Sequence, residues 1–395
     1  TAEDRNVSAD RTRDNYFNNE VWGANGQVEM GFDTGWASHR LITGADYFEL
    51  EQDGIRSGTV PTPPDVFPTR AFPLTEYSLT GLYVQDQISL LDGSLLIYPA
   101  LRYDAYELNP KLDPLYPTVV PAAPSDDSHV SPKLGIVVWP SDWLGAFYNY
   151  SEGYKAPEPS QVNNSFSNLA FGYTSIANPD LKPESSQSNE IGLRVRNIQQ
   201  LGATLSSEVV VFSIDAEDFI SQQAVSGAGT ASDPLIYQYV NLTDVSIDGV
   251  ELRGQAKWDN GVSVRFAAST AEGRVRSGTN TALESVDPAK LVTGINYDDP
   301  SGVFGGQIVA TFVDGKDLGD VVATTAFRPP SFSIVDITAY WNVTDWATLR
   351  AGAFNVTDEK YWCWSDVRGL ASSSTTRDAY TQPGANYSAS LTLKY

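Results

Sequence analysis

The stretch "VELRGQAKWDNGVSVRFAAS", residues 250–269, alternates apolar and polar side chains on both sides of an Asp-Asn-Gly turn. Val250 and Leu252 share one side of the extended chain, while Arg253 and Lys257 share the other. Successive side chains of a β-strand point to opposite faces, so a period of two indicates strands rather than helices. The stretch therefore predicts a hairpin that is apolar on one face and polar on the other.

The same alternation recurs along the whole chain and predicts an all-β protein. No segment has a convincing helical period, and each predicted strand has ten or more residues, whereas ordinary globular strands average about five to six. The fifteen predicted strands are 15–33, 38–54, 76–89, 93–108, 129–140, 142–154, 184–197, 200–215, 245–258, 260–275, 288–298, 303–314, 331–343, 346–357 and 384–394.

Short and long connections alternate between these strands. The long ones are 55–75, 109–128, 155–183, 216–244, 276–287, 315–330 and 358–383. An antiparallel meander with short turns at one end and long loops at the other is typical of outer-membrane barrels. A soluble sandwich or propeller would need Greek-key crossovers or a repeated motif. The fold expected is a transmembrane antiparallel β-barrel. Because bacterial single-chain barrels use an even number of strands, fifteen strands are interpreted as an incomplete barrel.

Composition excludes several functional classes. A formal charge of -23 argues against nucleic-acid binding, which needs clustered basic residues. One cysteine, Cys363, and two distant histidines, His39 and His129, make a multi-cysteine metal site or a histidine-based catalytic centre improbable. No apolar run approaches the roughly 20 residues of a membrane-spanning helix. With no recognisable catalytic constellation, the chain is not expected to be an enzyme.

The carboxy-terminal segment "YSASLTLKY" reads as a barrel-closing strand. Its apolar face includes Tyr387, Leu391, Leu393 and the terminal Tyr395. The simpler alternative is an ordinary last strand of a sheet.

Six motifs in order carry a family resemblance. They are "GLYVQDQISLLDGSLLIYPALRYD" (81–104), "YNYSEGYKAP" (148–157), "NPDLKPE" (178–184), "NLTDVSIDGVE" (241–251), "DPAK" (287–290) and "FNVTDEKYWCWSDVRGL" (354–370). From about residue 77 onward the chain resembles TonB-dependent outer-membrane receptors. The second and third motifs resemble the FRAP and NPDL elements of the haem/haemoglobin branch, which is grouped with transferrin and lactoferrin receptors.

The resemblance implies a barrel of twenty-two strands with a plug in its lumen, of which residues 1–395 would be the carboxy-terminal portion. The plug and the first strands would lie upstream. It also implies a Gram-negative outer-membrane receptor, embedded in lipid and energised by TonB, ExbB and ExbD, that imports haem from haem or haemoglobin. Haem would be the transported ligand and not a permanent cofactor. A ferric-siderophore receptor is the first alternative, and a passive porin or adhesive structural barrel is the second.

The long segment 155–183 would be the seventh extracellular loop and the cargo-binding loop. In this family a His between the two elements commonly ligates haem iron, but no His lies between Pro157 and Asn178. Tyr173 is the candidate axial ligand instead, because phenolate is a competent haem ligand. Glu158 is a weaker candidate, and the alternative for Tyr173 is a structural ring stacked on Phe171. The cargo-loop residues carried over from the family are Tyr154, Lys155, Ala156, Pro157, Asn178, Pro179, Asp180 and Leu181. For Asn178 to Asp180 the alternative is a turn.

Two further sets complete the predicted sites. Possible cargo contacts, with an interfacial aromatic belt as the alternative, are Tyr361, Trp362 and Trp364. The lumen-facing row of the opening hairpin is Glu251, Arg253, Gln255 and Lys257. His129 is expected at a solvated loop end.

Overall fold

The computed structural model describes residues 12–59, 67–116, 121–169, 172–230, 232–276 and 280–394. Strands dominate this part of the chain. In chain order they are β1 (Thr12–Asp33), β2 (Ser38–Thr59), β3 (Thr75–Leu90), β4 (Leu95–Pro110), β5 (Ser125–Val138), β6 (Leu144–Lys155), β7 (Ser167–Asn168), β8 (Tyr173–Ile176), β9 (Glu184–Gln200), β10 (Ala203–Ser226), β11 (Leu235–Trp258), β12 (Val262–Val275), β13 (Thr281–Ala282), β14 (Lys290–Asp298), β15 (Phe304–Val313), β16 (Phe332–Thr344), β17 (Ala347–Phe354) and β18 (Asn386–Leu393).

The fifteen long strands form one antiparallel meander. Each pairs with the next along the chain, except that β6 pairs directly with β9, and β12 pairs with β14. The short strands β7, β8 and β13 belong to the long loops. Among the described residues, β1 pairs with β2 alone and β18 with β17 alone, so these two strands are the sheet edges. All fifteen predicted strands are present, and the all-β antiparallel prediction is confirmed.

The hairpin quoted first folds as its alternation predicts. Strands β11 and β12 pair in continuous register from Val245 to Lys257. Gly261 closes the turn with φ +90°, a left-handed conformation that favours glycine. A Cβ at this position would also collide with the carbonyl oxygen of Asp298. The turn therefore requires Gly261, the glycine of the Asp-Asn-Gly turn predicted from the sequence.

One face of the sheet is apolar and exposed. Cross-strand pairs such as Val84–Leu101, Ile191–Val211 and Ile295–Ile308 place exposed aliphatic side chains side by side across successive strands. Alternation of an apolar outward face with a polar inward face is the pattern of strands that cross a bilayer. We refer to the apolar side as the outer face and to the other as the concave face.

Tryptophans mark the end of the sheet that carries the short turns. Trp143, Trp341 and Trp346 are exposed there, and the Trp258 indole nitrogen donates to the Leu201 carbonyl oxygen at 3.3 Å. An indole with an apolar body and a polar edge suits the membrane interface. His39 lies at the same end, where it bonds Asp86 at 2.7 Å.

The predicted strand boundaries were wrong in two places. Residues 216–244 were expected to be a long loop, but β10 continues to Ser226 and β11 begins at Leu235. The aromatic and β-branched residues there favour pairing, and the hairpin extends beyond the predicted strand ends. His129 was expected at a loop end, but it lies inside β5, which begins at Ser125.

Helices are short. Two α-helical turns, α1 (Pro159–Val162) and α2 (Trp364–Val367), lie in long loops. Within the described residues, no helix has the length and apolar character needed to cross a membrane.

Candidate functional site

The predicted cargo loop, residues 155–183, begins and ends at a single cross-strand pair. Lys155 closes β6 opposite Glu184, which opens β9, and their side chains form an ion pair at 3.2 Å. Glu184 also accepts a hydrogen bond from the Ile220 amide at 2.8 Å. The loop therefore leaves and rejoins the sheet at a fixed base, and its interior is held by contacts with other loops.

A buried asparagine joins this long loop to the β4–β5 connection. Asn163 is fully buried after α1. Its amide nitrogen donates to the Ala123 carbonyl oxygen at 2.9 Å, and its amide oxygen accepts from the Ala123 nitrogen at 2.8 Å. A side-chain amide has both a donor and an acceptor, so it reproduces a backbone pairing between loops that share no strand.

The other side of the long loop is attached to the β10–β11 hairpin. Strand β8 pairs in parallel with the start of β11, with Tyr173 opposite Leu235. Asn241 on β11 bonds both the backbone nitrogen and the carbonyl oxygen of Lys182 at 2.9 Å. The long loop thus connects the two parts of the wall that flank it.

The Asn-Pro-Asp-Leu element forms a turn in this connection. The Asp180 nitrogen donates to the Asn178 side-chain oxygen at 3.2 Å, and the Leu181 nitrogen donates to the Asn178 carbonyl oxygen at 3.3 Å. The Asn178 amide also donates to the Tyr239 carbonyl oxygen at 2.8 Å. This geometry matches the turn alternative, and a role of Pro179 or its neighbours in cargo contact stays a prediction.

The four residues that resemble the FRAP element meet an apolar cluster at the base of the long loop. Buried members of this cluster include Tyr77, Leu108 and Leu181. Tyr154 and Ala156 pack against this cluster. Pro157, the next residue along the chain, is fully buried. Lys155 forms the ion pair with Glu184 described above.

Tyr173 lies in an aromatic stack within the long loop. Its ring is stacked on Phe166 with centroids 5.8 Å apart, and it meets Tyr237 edge-on at 6.3 Å. The Arg56 guanidinium covers the Phe166 ring at 4.1 Å. The Asn168 amide donates to the Tyr173 hydroxyl oxygen at 3.2 Å. The stacking partner is thus Phe166, and Phe171, the partner named from sequence, lies outside the described residues.

The two histidines lie apart from Tyr173 in the fold. His129 stacks on Tyr154 with centroids 5.2 Å apart, and its Nε2 lies 3.6 Å from a Glu152 carboxylate oxygen. Within the described residues, no three His, Cys, Asp or Glu side chains group closely enough to hold a metal ion.

A second cluster unites three other long loops around Trp364. Trp364 is only 4% exposed, packs with Phe327 and Val367, and donates its indole N–H to the Glu284 carbonyl oxygen at 2.6 Å. The Lys316 ammonium lies 5.2 Å from the Trp364 ring, and burial lowers the pKa of Lys316.

Trp364 was predicted as a possible cargo contact, but its burial leaves no free face for cargo. Tyr361 and Trp362 are only partly buried. Tyr361 packs against Phe332 with tilted rings whose centroids are 4.4 Å apart, and the Trp362 indole N–H donates to the Arg377 carbonyl oxygen at 3.1 Å. Cargo contact by these two stays a prediction.

The polar row of the opening hairpin lies on the concave face, as expected from the alternation. Arg253 forms an ion pair with Glu208 on β10, and Glu208 also pairs with Arg194 on β9. The other members, Glu251, Gln255 and Lys257, are exposed. At the last strand, Tyr387, Leu391 and Leu393 are exposed on β18, and Tyr395 lies outside the described residues.

Sequence reasoning missed the polar residues that hold the loops together. Arg70 forms ion pairs with Asp53 on β2 and with Asp113 after β4. Asn163 and Asn241 act in the same way through backbone bonds. The only signal in the sequence was the concentration of Asn in segment 155–183, which does not identify partners.

These features define the wall of an outer-membrane-type β-barrel with interlocked loops at one end. Residues 1–356 match the model of the TonB dependent receptor-like β-barrel. The chain belongs to this family, whose members are receptors rather than enzymes.

Curated relatives cover only part of the chain. Haemoglobin and haemoglobin-haptoglobin-binding protein A of Haemophilus influenzae is 26% identical over 63% of this chain and 24% of its own length. Transferrin-binding protein A of Neisseria meningitidis serogroup B is 24% identical over 68% of this chain and 32% of its own length. Lactoferrin-binding protein A of Neisseria meningitidis serogroup A is 27% identical over 66% of this chain and 30% of its own length. The matched regions thus span a quarter to a third of these relatives.

Solved structures share the fold at low identity. A double mutant of the Serratia marcescens hemophore receptor HasR, in complex with its hemophore HasA and heme, aligns with a TM-score of 0.75 at 16% identity, over 96% of this chain and 60% of that chain. The copper transporter OprC aligns with a TM-score of 0.74 at 16% identity, over 96% of this chain and 57% of that chain. A mutant of the ferric enterobactin receptor of Pseudomonas aeruginosa, in complex with enterobactin, aligns with a TM-score of 0.68 at 16% identity, over 95% of this chain and 54% of that chain.

Proposed function

We propose that this chain is the barrel portion of an outer-membrane receptor that takes up an iron source with energy from the TonB system. The observation that carries the proposal is the family match over residues 1–356, on a sheet whose long loops all lie at one end. The matched relatives are named as binding haemoglobin, transferrin or lactoferrin. Their shared chemistry is iron carried by a protein, which favours uptake over passive diffusion through a porin or over an adhesive role.

Within that class we propose haem as the cargo, with Tyr173 as the iron ligand on the long loop. Phenolate oxygen binds ferric haem, and the bound cation lowers the phenol's tendency to keep its proton. The Tyr173 oxygen accepts a hydrogen bond from the Asn168 amide at 3.2 Å. The stack with Phe166 would hold the ring in place while the oxygen binds iron.

The alternative is a ferric-siderophore receptor on the same barrel. It is favoured by the absence of histidine between Pro157 and Asn178. A chelator that already fills the coordination sphere of iron needs no ligand from the protein. Tyr173 would then be a structural ring, and its hydroxyl would be dispensable for uptake.

The experiment uses the full-length gene product in a host that lacks its own haem and siderophore receptors. Growth is measured with haem, haemoglobin or a ferric siderophore as sole iron source, and the Soret band of bound ferric haem is recorded on purified receptor. Tyr173→Phe removes the oxygen and keeps the ring stack. Tyr237→Phe is the matched control, because it removes a hydroxyl from the neighbouring ring.

We expect growth on haem in the wild type, and loss of that growth with a shifted Soret band in Tyr173→Phe alone. Unchanged haem binding in Tyr173→Phe would exclude Tyr173 as the ligand. Growth on a ferric siderophore but not on haem would replace the haem proposal with its alternative. Growth without a functional TonB would favour a passive pore.

A further inference from the structure

The β10–β11 hairpin extends beyond the strand that precedes it in the sheet. β10 pairs with β11 as far as Ser226, but it pairs with β9 only as far as Glu217, which lies opposite Ser185. Strand β9 begins at Glu184, directly after Pro183, and a proline has no backbone N–H with which to continue a ladder. Among the residues that the structure describes, the last part of β10 therefore has a free edge on the β9 side.

The backbone groups of this free edge point away from β11. The Ile220 N–H donates to the Glu184 carboxylate at 2.8 Å, which shows the direction in which Ile220 points. Alternate residues of an antiparallel strand bond to the same side, so the N–H and C=O groups of Gln222 and Ala224 point the same way. Both residues are exposed. Within the described chain no strand pairs with them on that side, and a register shift after Ala224 ends the regular edge.

The free edge lacks the residues that usually prevent strand pairing. Exposed strand edges are commonly blocked by lysine and other charged side chains or by proline. Residues 219–230 contain no charged residue and no proline. Val225, just past the end of the edge, is an apolar side chain that is 45% exposed. Only the register shift limits pairing, which it confines to residues 220–224.

A strand edge of this kind fits an extended polypeptide. An added strand bonds alternate N–H and C=O groups along the edge, and these main-chain bonds supply the affinity. A small ligand does not reach several such groups in a row, because successive residues of a strand are about 3.3 Å apart. The hairpin lies at the end of the sheet that carries the long loops, so a segment of another protein is the occupant that this edge suits.

One carboxylate beside the edge indicates the charge of that segment. Glu217 is exposed, and it has no ion-pair partner in the part of the chain that the structure describes. Its neighbours differ, because Asp218 lies 4.0 Å from the Lys182 ammonium and Asp215 lies 3.9 Å from the Arg276 guanidinium. A basic side chain on the added strand would therefore find a free carboxylate at the membrane end of the edge.

A second copy of this chain fits the edge less well. Two receptors side by side in one membrane would be related by a two-fold axis along the membrane normal. Such an axis sets the two β10 edges at equal heights, with N–H facing N–H and C=O facing C=O, and this arrangement forms no ladder. The formal charge of -23 on each copy adds repulsion.

We propose that residues 220–224 of β10 form a docking site for an extended segment of another protein, which runs antiparallel to β10 and places a basic side chain beside Glu217. The segment would add a strand where Pro183 ends β9. The inference goes beyond the proposed function and does not depend on the iron source or on Tyr173. It uses backbone groups beyond the end of β9, on the part of the hairpin that extends past the barrel wall.

The test uses the full-length receptor in detergent and two fluorescent peptides. The first alternates threonine and valine over the length of the edge and has two lysines at its carboxy end, which an antiparallel strand brings beside Glu217. The second has the same sequence with a methyl group on each peptide nitrogen, so it has no N–H to donate. Dissociation constants come from fluorescence anisotropy. The second peptide should bind at least tenfold more weakly, because it loses several hydrogen bonds.

Gln222→Pro should weaken the first peptide about tenfold, because it removes a donor from the centre of the edge and its ring blocks close approach. The deleted N–H does not face β11, so the hairpin should persist. Amide exchange at Gln223, whose N–H does face β11, checks this. Gln222→Ala is the matched control, since it keeps the backbone N–H and should bind like the wild type. Glu217→Gln should weaken the first peptide about threefold at low salt and leave its affinity unchanged at high salt.

Equal binding of the two peptides to the wild type, or binding of neither, would overturn the inference. Wild-type affinity of Gln222→Pro with unchanged exchange at Gln223 would do the same. If this variant loses the protection of Gln223, the comparison of the two peptides decides alone. A receptor dimer that light scattering detects in the wild type but not in Gln222→Pro would assign the edge to a second copy instead. Growth on haem enters none of these outcomes, so the proposed function is tested separately.

Discussion

Replacing Asn163 by alanine should release the long loop from the β4–β5 connection while leaving the sheet intact. The change deletes two partly buried hydrogen bonds and leaves the N–H and C=O of the half-buried Ala123 without these partners. Burying one unsatisfied backbone group costs about 1–3 kcal/mol, and water that enters the opened site recovers part of it. We therefore expect a local destabilisation of about 2–4 kcal/mol.

Amide hydrogen exchange at Ala123 measures this effect directly. Its N–H is protected by the Asn163 side-chain oxygen in the folded loop. If exchange proceeds by local opening, 2–4 kcal/mol corresponds to a protection factor about 30-fold to 700-fold lower. The melting temperature of the whole sheet should hardly change, because the fifteen long strands do not depend on this contact.

Asn164→Ala is the matched control for this prediction. Asn164 donates to the Ser160 carbonyl oxygen and accepts from the Phe166 nitrogen, both within the long loop. Its loss should leave exchange at Ala123 close to the wild-type rate. Equal exchange at Ala123 in wild type and Asn163→Ala would refute the view that one buried amide joins the two loops.

Two further predictions concern the second loop cluster. Trp364→Ala should destabilise this cluster by about 3–5 kcal/mol, because a large buried ring and its hydrogen bond to the Glu284 carbonyl oxygen are lost. Limited proteolysis within residues 314–331 should therefore become faster. Trp346→Ala, which removes an exposed ring, should leave the rate of proteolysis unchanged. Burial lowers the pKa of Lys316 below the ordinary lysine pKa of 10.5. The side chain therefore binds its proton more tightly in the unfolded loop than in the folded cluster. As a result, the cluster becomes more stable as the pH rises toward 10.5. Lys316→Met should remove this rise in protease resistance between neutral and alkaline pH, and persistence of the rise would assign it to another group.

The loops divide into two interlocked sets. The long loop contacts both the β2–β3 and β4–β5 connections, with the Ser165 nitrogen donating to the Ala71 carbonyl oxygen at 2.6 Å. The loops around Trp364 form a separate cluster over the later strands.

The sequence alone was sufficient for the strands and their order. Alternation with a period of two is a local property, and residues such as Val250 and Arg253 show it without any knowledge of their neighbours. Turn signals and loop lengths then decide the meander, because antiparallel strands joined by short turns must be adjacent. The sequence was less reliable for the ends of β10 and β11, where pairing between the two strands extends both beyond their predicted limits.

The tertiary structure decided which loop residues touch one another. Trp364 and Trp362 have the same sequence character, yet one is buried and the other is only partly covered, because the fold packs a neighbouring loop over the first. Nothing local distinguishes Asn163, which bonds Ala123 forty residues away, from Asn164, which bonds within its own loop. The local sequence pattern determines which residues form strands and which face of the sheet each side chain occupies. The partners of a loop side chain are instead determined by contacts between segments that are distant in sequence.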